Sequence, residues 1–230
     1  MKDNIIKHEA FYNIVQKDFG QYFSMMASAG NFSNICKQIS LISKSSLEYG
    51  YSDLEIEEAL KLGTMKFAGD LFEIFAEVFF IIYGKDNRIG VYDYLPVPAE
   101  DDNGVDGYGK NIEGGPCTVQ VKFRNNPTYE LKERDVKQFG LKSITDFNVD
   151  YARKDSMVIF TNCAGLHWYT NSQVFNGLYR IINQESICKL IDNNQAFWDS
   201  YEEVVYESIK SMETDRLTEM YSKKNYSYKI

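Results

Sequence analysis

Histidine, proline and cysteine are all scarce in this 230-residue chain: two, four and four residues respectively. With only His8 and His167 present, and Cys36, Cys117, Cys163 and Cys188 scattered without C-x-x-C spacing, a Cys/His zinc site is not expected. Four unpatterned thiols in a chain this long suit a reducing compartment rather than a disulfide scaffold. No Pro/Gly/Ser-rich linker, internal repeat or low-complexity segment divides the sequence. Long apolar runs are missing too. The N-terminal MKDNIIKHEAF lacks a signal-peptide core, and 71-LFEIFAEVFFIIYG-84 is too short to span a bilayer and carries two glutamates. A soluble, intracellular protein that does not engage membranes is expected. Positive charge is also in deficit: 25 Lys and Arg against 33 Asp and Glu give a net charge of −8. That balance disfavours an indiscriminate nucleic-acid coat, but not a nuclease, which needs only a local basic strip.

What the chain does contain is apolar residues, 44% of the total, with 15% aromatic, enough for a packed core. Ile5, Ile6, Phe11, Ile14, Val15, Phe19 and Tyr22 recur at roughly helical spacing. Ser52-Asp-Leu-Glu55 reads as a capping box opening a helix over 53–67, and Asp70-Leu-Phe-Glu73 as a second, opening a helix that stops at Gly84. Residues 88–97, 117–124 and 156–162 are β-branched and aromatic, bounded by turn formers, and read as strands; 166–170 reads as an edge strand. Helix returns over 130–144, around Val174, Leu178, Ile181 and Ile182, over 187–191 and over 194–212, before a polar tail. The expected division is an N-terminal helical segment over 1–67, an α/β core over 68–172, and a C-terminal helical segment over 173–230 packed on it.

One stretch carries chemistry: 104-GVDGYGKNIEGGPCTVQVKFR-124. Asp106 lies in a glycine-rich turn, and Gln120 and Lys122 share one face of the strand that follows, because side chains alternate with period two. Glu73 sits on the preceding apolar helix, with Glu77 one turn on. Hydrolysis of a phosphodiester needs a hard cation with oxygen ligands, and magnesium takes one or two carboxylates plus waters. Asp106 supplies a carboxylate, Gln120 a neutral carbonyl, Glu73 an assisting acid, and Lys122 a compact cation beside the ion. Plainer readings exist for each. Glu73 would be the third-position partner of its capping box, Asp106 a turn residue, and Gln120 and Lys122 a solvated strand face. Lys132, Arg134 and Lys137 read as a solvated helix face, the aromatic stripe Phe72, Phe75, Phe79 and Phe80 as core, and His167 as structural.

These residues together resemble a family. Phe72-Glu73 through Gly84, then Gly104-Val105-Asp106, then Gln120-Val121-Lys122, then a charged helix and 157-MVIFTN-162, look like the Mrr-type restriction endonuclease catalytic domain of the PD-(D/E)xK nuclease superfamily. The likeness covers about residues 69–172. It implies a restriction-endonuclease-like α/β core with a mixed central sheet flanked by helices. It also implies a magnesium-dependent DNA endonuclease, with manganese as a substitute ion, in which Asp106 and Gln120 are metal ligands, Lys122 is the catalytic lysine and Glu73 the helix acid. Such cores commonly act as dimers on duplex DNA, so the helical flanks are the expected place for a homodimer interface, a partner subunit or target recognition. The chain departs from the commoner pattern at Gln120, where most relatives carry an acid; Glu113 in the loop is a candidate to contribute. That departure keeps two other readings open: a catalytically silent module that binds nucleic acid or protein, and a structure-selective nuclease such as a junction resolvase.

Overall fold

The computed structural model describes residues 5–16, 23, 25–26, 28–45, 56–98, 104–153, 155–167 and 178–226, with 56–64 and 215–226 described by backbone alone. Six helices are present among the described residues: α1 (Glu9–Gln16), α2 (Phe32–Ser45), α3 (Ile56–Tyr83), α4 (Glu133–Thr145), α5 (Gln184–Ile191) and α6 (Gln195–Tyr226). Strands β1 (Tyr92–Pro96), β2 (Gly107–Lys110), β3 (Pro116–Lys122), β5 (Met157–Thr161) and β7 (Arg180–Ile182) form one mixed sheet in the order β1-β2-β3-β5-β7. The first three run antiparallel to one another, and β3, β5 and β7 are parallel. Two short strands, β4 (Glu130–Leu131) and β6 (Gly165–Leu166), pair beside it. The protein is thus a mixed α/β structure.

Helix α3 is the axis of the core. Leu71, Phe72, Ile74, Phe75, Ala76, Val78 and Phe79 are all fully buried, so the helix is apolar nearly all round, the pattern of a helix enclosed by its neighbours. Phe160 on β5 meets Phe72, Phe79 and Phe80 with ring centroids 5.1–5.5 Å apart. One continuous cluster joins α1, α2, α3 and α6 to Val119 and Val121 of β3 and to Val158 and Phe160 of β5. The opposite face of the sheet, with Met157 and Ile159, packs on Val136 and Phe139 of α4. The period-two alternation therefore assigns each strand residue to a helix: odd positions of β3 face α3, and even ones face α4.

Several expectations need correction. The two helices expected over 53–67 and from Asp70 onward are one, Ile56–Tyr83, and Asp70 is not a cap: it pairs with Lys66 one turn earlier at 3.1 Å. Glu73 therefore has no capping duty. The Ser52 box lies outside the described residues, as does Val174. The helix expected around Leu178, Ile181 and Ile182 is strand β7, held by pairing with Val158, Ile159 and Phe160. The strand expected over 88–97 begins only at Tyr92, because 86–90 form a hydrogen-bonded turn after α3. The edge strand expected over 166–170 is reduced to Gly165–Leu166, with 168–170 outside the described residues. The last helix, expected to end at 212, continues to Tyr226, into the polar tail expected over 223–230, of which 227–230 lie outside the described residues.

Candidate functional site

An antiparallel hairpin sets the site. Gly107 pairs with Val119, so the entry to β2 lies beside the exit of β3, and Asp106 meets Gln120 and Lys122 at the same end of the sheet. Asp106 is pinned there by three bonds. Its amide donates to the Val119 carbonyl at 3.0 Å, its carbonyl accepts from the Val97 amide at 3.0 Å, and its Oδ2 accepts from the Val121 amide at 2.6 Å. The carboxylate thus stands in for a ladder carbonyl at the place where the β2–β3 pairing opens. A short charge-assisted bond of this kind holds the side chain as well as the chain.

Gln120 is 2% exposed, and its Nε2 donates to the Gly104 carbonyl at 2.8 Å. That bond fixes the amide's orientation, because a carbonyl cannot accept from Oε1. Oε1 is then a buried acceptor with no hydrogen-bond partner among the described residues. An unmatched buried acceptor costs roughly 1–3 kcal/mol, so it marks a place for a cation or an ordered water. The row continues on the same face. Thr118 Oγ1 donates to Ser143 Oγ of α4 at 2.8 Å, and Lys122 at the strand's end is half-buried. Among the described residues Lys122 has no carboxylate within 4 Å, its backbone carbonyl being the acceptor for Thr161 Oγ1.

Glu73 and Glu77 come from the other face of the sheet, on α3. Glu77 is 1% exposed rather than solvated as its helix position suggests. Its two oxygens accept from the Lys7 and His8 amides at 2.7 and 3.0 Å. Burial pushes its pKa up, against the lowering effect of those amides. Glu73 Oε2 lies 2.9 Å from His8 Nε2. The imidazole is also shifted up: burial opposes its charging, but the Glu73 bond and the charges of Glu73, Glu77 and Asp70 outweigh it. Tyr94 of β1 is buried, its hydroxyl included. Its phenol is raised well above its ordinary value, first by burial and then by the charges of Glu77, Asp106 and Glu73, so all three carboxylates act on one hydroxyl. Gly107 is the residue that lets Tyr94 lie there, since a Cβ at that position would collide with the Tyr94 ring.

Gln120 is tied to the Gly104–Asp106 segment, and Gly107 beside Asp106 lies against the Tyr94 ring. Neither Glu73 nor Glu77 has a hydrogen bond or ion pair to Gln120 or Lys122; the sheet separates them. Among the described residues no group of three or more His, Cys, Asp or Glu side chains is disposed to hold a metal ion. The oxygens the structure places at this end of the sheet are those of Asp106, one of which accepts from the Val121 amide, and the buried Oε1 of Gln120. Glu113 is not among them: it pairs with Arg153 beyond the opposite end of β3. His167 is placed by its amide, which donates to the Leu131 carbonyl at 2.9 Å. Lys132, Arg134 and Lys137 are exposed on or beside α4, whose Gln138 lies against Gly104.

His8 and Tyr94 are the residues that sequence reasoning missed. His8 is 65 positions from Glu73, so no spacing rule links them, and Tyr94 is one aromatic among many in a strand. Comparison of the chain with protein-family models, with curated proteins and with solved structures finds no match. Nor is any helix among the described residues long and apolar enough to cross a membrane.

Proposed function

We propose that the chain is a divalent-metal-dependent DNA endonuclease, with a restriction-endonuclease-like core of the PD-(D/E)xK kind. The observation that carries the reading is the buried Oε1 of Gln120, without a hydrogen-bond partner among the described residues, on an amide tied to Gly104 two residues before the pinned Asp106, with Lys122 two residues on along the same strand face. Asp106 and Gln120 hold the ion, which when bound offsets the charge developing on the phosphate and acidifies a water. Asp106 keeps its geometry through the Val121 amide, and Gln120 through Gly104. Lys122 Nζ, with no carboxylate partner among the described residues, orients the attacking water and balances phosphate charge. The cations of the α4 region, Lys132, Arg134 and Lys137, offer a local basic strip for the DNA backbone in an otherwise acidic protein.

The test is cleavage of supercoiled plasmid in magnesium by wild type, Asp106→Ala and Lys122→Ala. Nicking by wild type alone is expected. Equal activity of all three proteins removes these residues from the mechanism. A second reading is favoured by one feature: the two helix carboxylates are engaged by the N-terminal segment, Glu77 by two amides and Glu73 by His8. A module that binds nucleic acid without cutting it would show DNA binding and no calorimetric response to magnesium or manganese. Branched against linear substrates distinguish a structure-selective nuclease from either.

A further inference from the structure

Helices α2 and α5 are far apart in sequence but pack directly on each other. Two observations fix how they run. At one end, the Phe32 amide in the first turn of α2 donates to Asp192 Oδ1, just past the last turn of α5, at 2.7 Å. At the other, Ser40 of α2 and Gln184, the first residue of α5, line the same cleft, together with Cys36. The start of one helix therefore meets the end of the other, as in an antiparallel pair. Positions four apart on a helix share a face, one turn above one another. Phe32, Cys36 and Ser40 form such a row on α2, and Gln184, Cys188 and Asp192 form one running on from α5. With Phe32 set against Asp192 and Ser40 near Gln184, the middle members of the two rows face each other. Those are Cys36 and Cys188.

The surroundings agree. Both cysteines are half-buried and pack on the edge of the main core cluster, whereas Cys117 and Cys163 are fully buried. Burial pushes the Cys36 thiol up to about 12, and the next largest cause is the neighbouring Cys188; Cys163 acts on it less. The Cys188 thiol is raised to about 11, first by burial and then by the Asp192 carboxylate, the same group that accepts from the Phe32 amide. One carboxylate thus reaches from Cys188 to the first turn of α2. Thiols raised this far are poor nucleophiles at neutral pH, so neither is tuned as a fast catalytic or metal-binding thiolate. Their chemistry is that of a slow cross-link, in which one thiol is oxidised and a facing thiol captures the product.

We propose that Cys36 and Cys188 are an oxidative modification site, at which hydrogen peroxide joins them in a disulfide that staples α2 to α5. The step balances in two stages. The Cys188 thiolate attacks one peroxide oxygen, forming S–O and breaking O–O, and gives a sulfenic acid and one water. The Cys36 thiolate then attacks the sulfenic sulfur, forming S–S and breaking S–O, and a second water leaves. Two thiols lose two electrons and two protons, and the peroxide becomes two waters. In reducing surroundings both stay thiols, as they are in the structure. The bond ties the N-terminal helical segment covalently to the C-terminal one. It closes a loop of about 150 residues, a length at which closure strongly restrains the unfolded chain. Neither thiol belongs to the proposed metal site, so the staple and the nuclease reading stand or fall separately.

The test is prolonged exposure of the whole chain to hydrogen peroxide at mildly alkaline pH. Remaining thiols are blocked with N-ethylmaleimide in denaturant, and the protein is digested with trypsin without reductant. Residues 18–37 and 181–189 each form a tryptic peptide with a single cysteine, Cys36 in one and Cys188 in the other. Mass spectrometry is expected to find these two peptides joined, and dithiothreitol to release them. The protein is expected to run as a monomer on a non-reducing gel and to keep Cys117 and Cys163 free. Cys163→Ser is expected to give the same joined pair, and Cys36→Ser and Cys188→Ser to give none. The urea midpoint of oxidised wild type is expected to lie about 1 M above that of the reduced protein, with no such shift in Cys188→Ser. All four thiols free after oxidation of wild type overturns the proposal. So does Cys36 joined to Cys117 or Cys163, or a band at twice the mass that carries the link. A joined pair that leaves the urea midpoint unmoved overturns the staple.

Discussion

Replacing Gln120 by glutamate puts the commoner acid of the PD-(D/E)xK pattern into this site, and its consequence can be worked from the geometry. Gln120 is 2% exposed and its Nε2 donates to the Gly104 carbonyl. Gln120→Glu removes that donor, a loss of about 1 kcal/mol for a buried neutral bond. It also aims an acceptor at an acceptor and buries a charge near Asp106, adding roughly 1–3 kcal/mol. Without metal at neutral pH the variant should therefore be less stable by about 2–4 kcal/mol. The new carboxyl group would titrate above its ordinary range in the fold, so this destabilisation should be absent at low pH and grow as pH rises through the folded value. A divalent ion reverses the sign of the argument. At a magnesium concentration about a hundredfold above Kd, binding returns about 2.7 kcal/mol, and the added carboxylate should tighten Kd. Urea denaturation of wild type and Gln120→Glu, with chelator and with magnesium, at pH 5 and 7, reads all of this. A variant as stable as wild type in chelator, and indifferent to magnesium, would refute the placement of Gln120 in a metal site.

Further perturbations test the surroundings. His8→Ala should cost about 1 kcal/mol and flatten the pH dependence of stability above neutrality. Both His8 and Glu77 are raised in the fold, so each favours the folded state at low pH. That benefit is lost as pH rises, from about 4.5 upward for Glu77 and from about 6.5 upward for His8, each through its folded value. Chemical denaturation at pH 6 and 8 should show wild type losing more stability over that interval than His8→Ala, and an equal loss would place the imidazole elsewhere. Gly107→Ala should destabilise by roughly 1–3 kcal/mol, because the methyl meets the Tyr94 ring; a neutral result by thermal melting contradicts that packing. Phe75→Ala should cost about 3–5 kcal/mol, since the ring is fully buried among Phe32, Phe160 and Phe197.

Strand β3 was legible because its alternation and its flanking turn residues agree, and the structure ends it at Lys122, within two residues of the expectation. The α4 crossover and β5 followed for the same reason. Helix α3 was divided wrongly because Asp70-Leu-Phe-Glu73 has the form of a capping box. Form alone does not reveal that Asp70 is served by Lys66 within a helix already under way. β2 is not expected from the sequence because Gly107-Tyr-Gly-Lys110 has no apolar alternation; its place in the sheet comes from backbone bonds to β1 and β3. β7 was read as helix because Leu178, Ile181 and Ile182 fall at helical spacing, whereas tertiary pairing with β5 decides the matter. In the site, Asp106, Gln120 and Lys122 were legible as a local motif. The engagement of Glu73 by the His8 imidazole and of Glu77 by the Lys7 and His8 amides is not, since those partners lie 65 to 70 positions away and backbone amides carry no sequence signal.

The measurement closest to the central claim is a manganese titration followed by NMR, in which a bound paramagnetic ion broadens nearby protons. The side-chain amide of Gln120 and the backbone amide of Val121, which donates to Asp106, should broaden first in wild type, and not in Asp106→Ala. Uniform or absent broadening in wild type, or the same pattern in Asp106→Ala, would contradict the account.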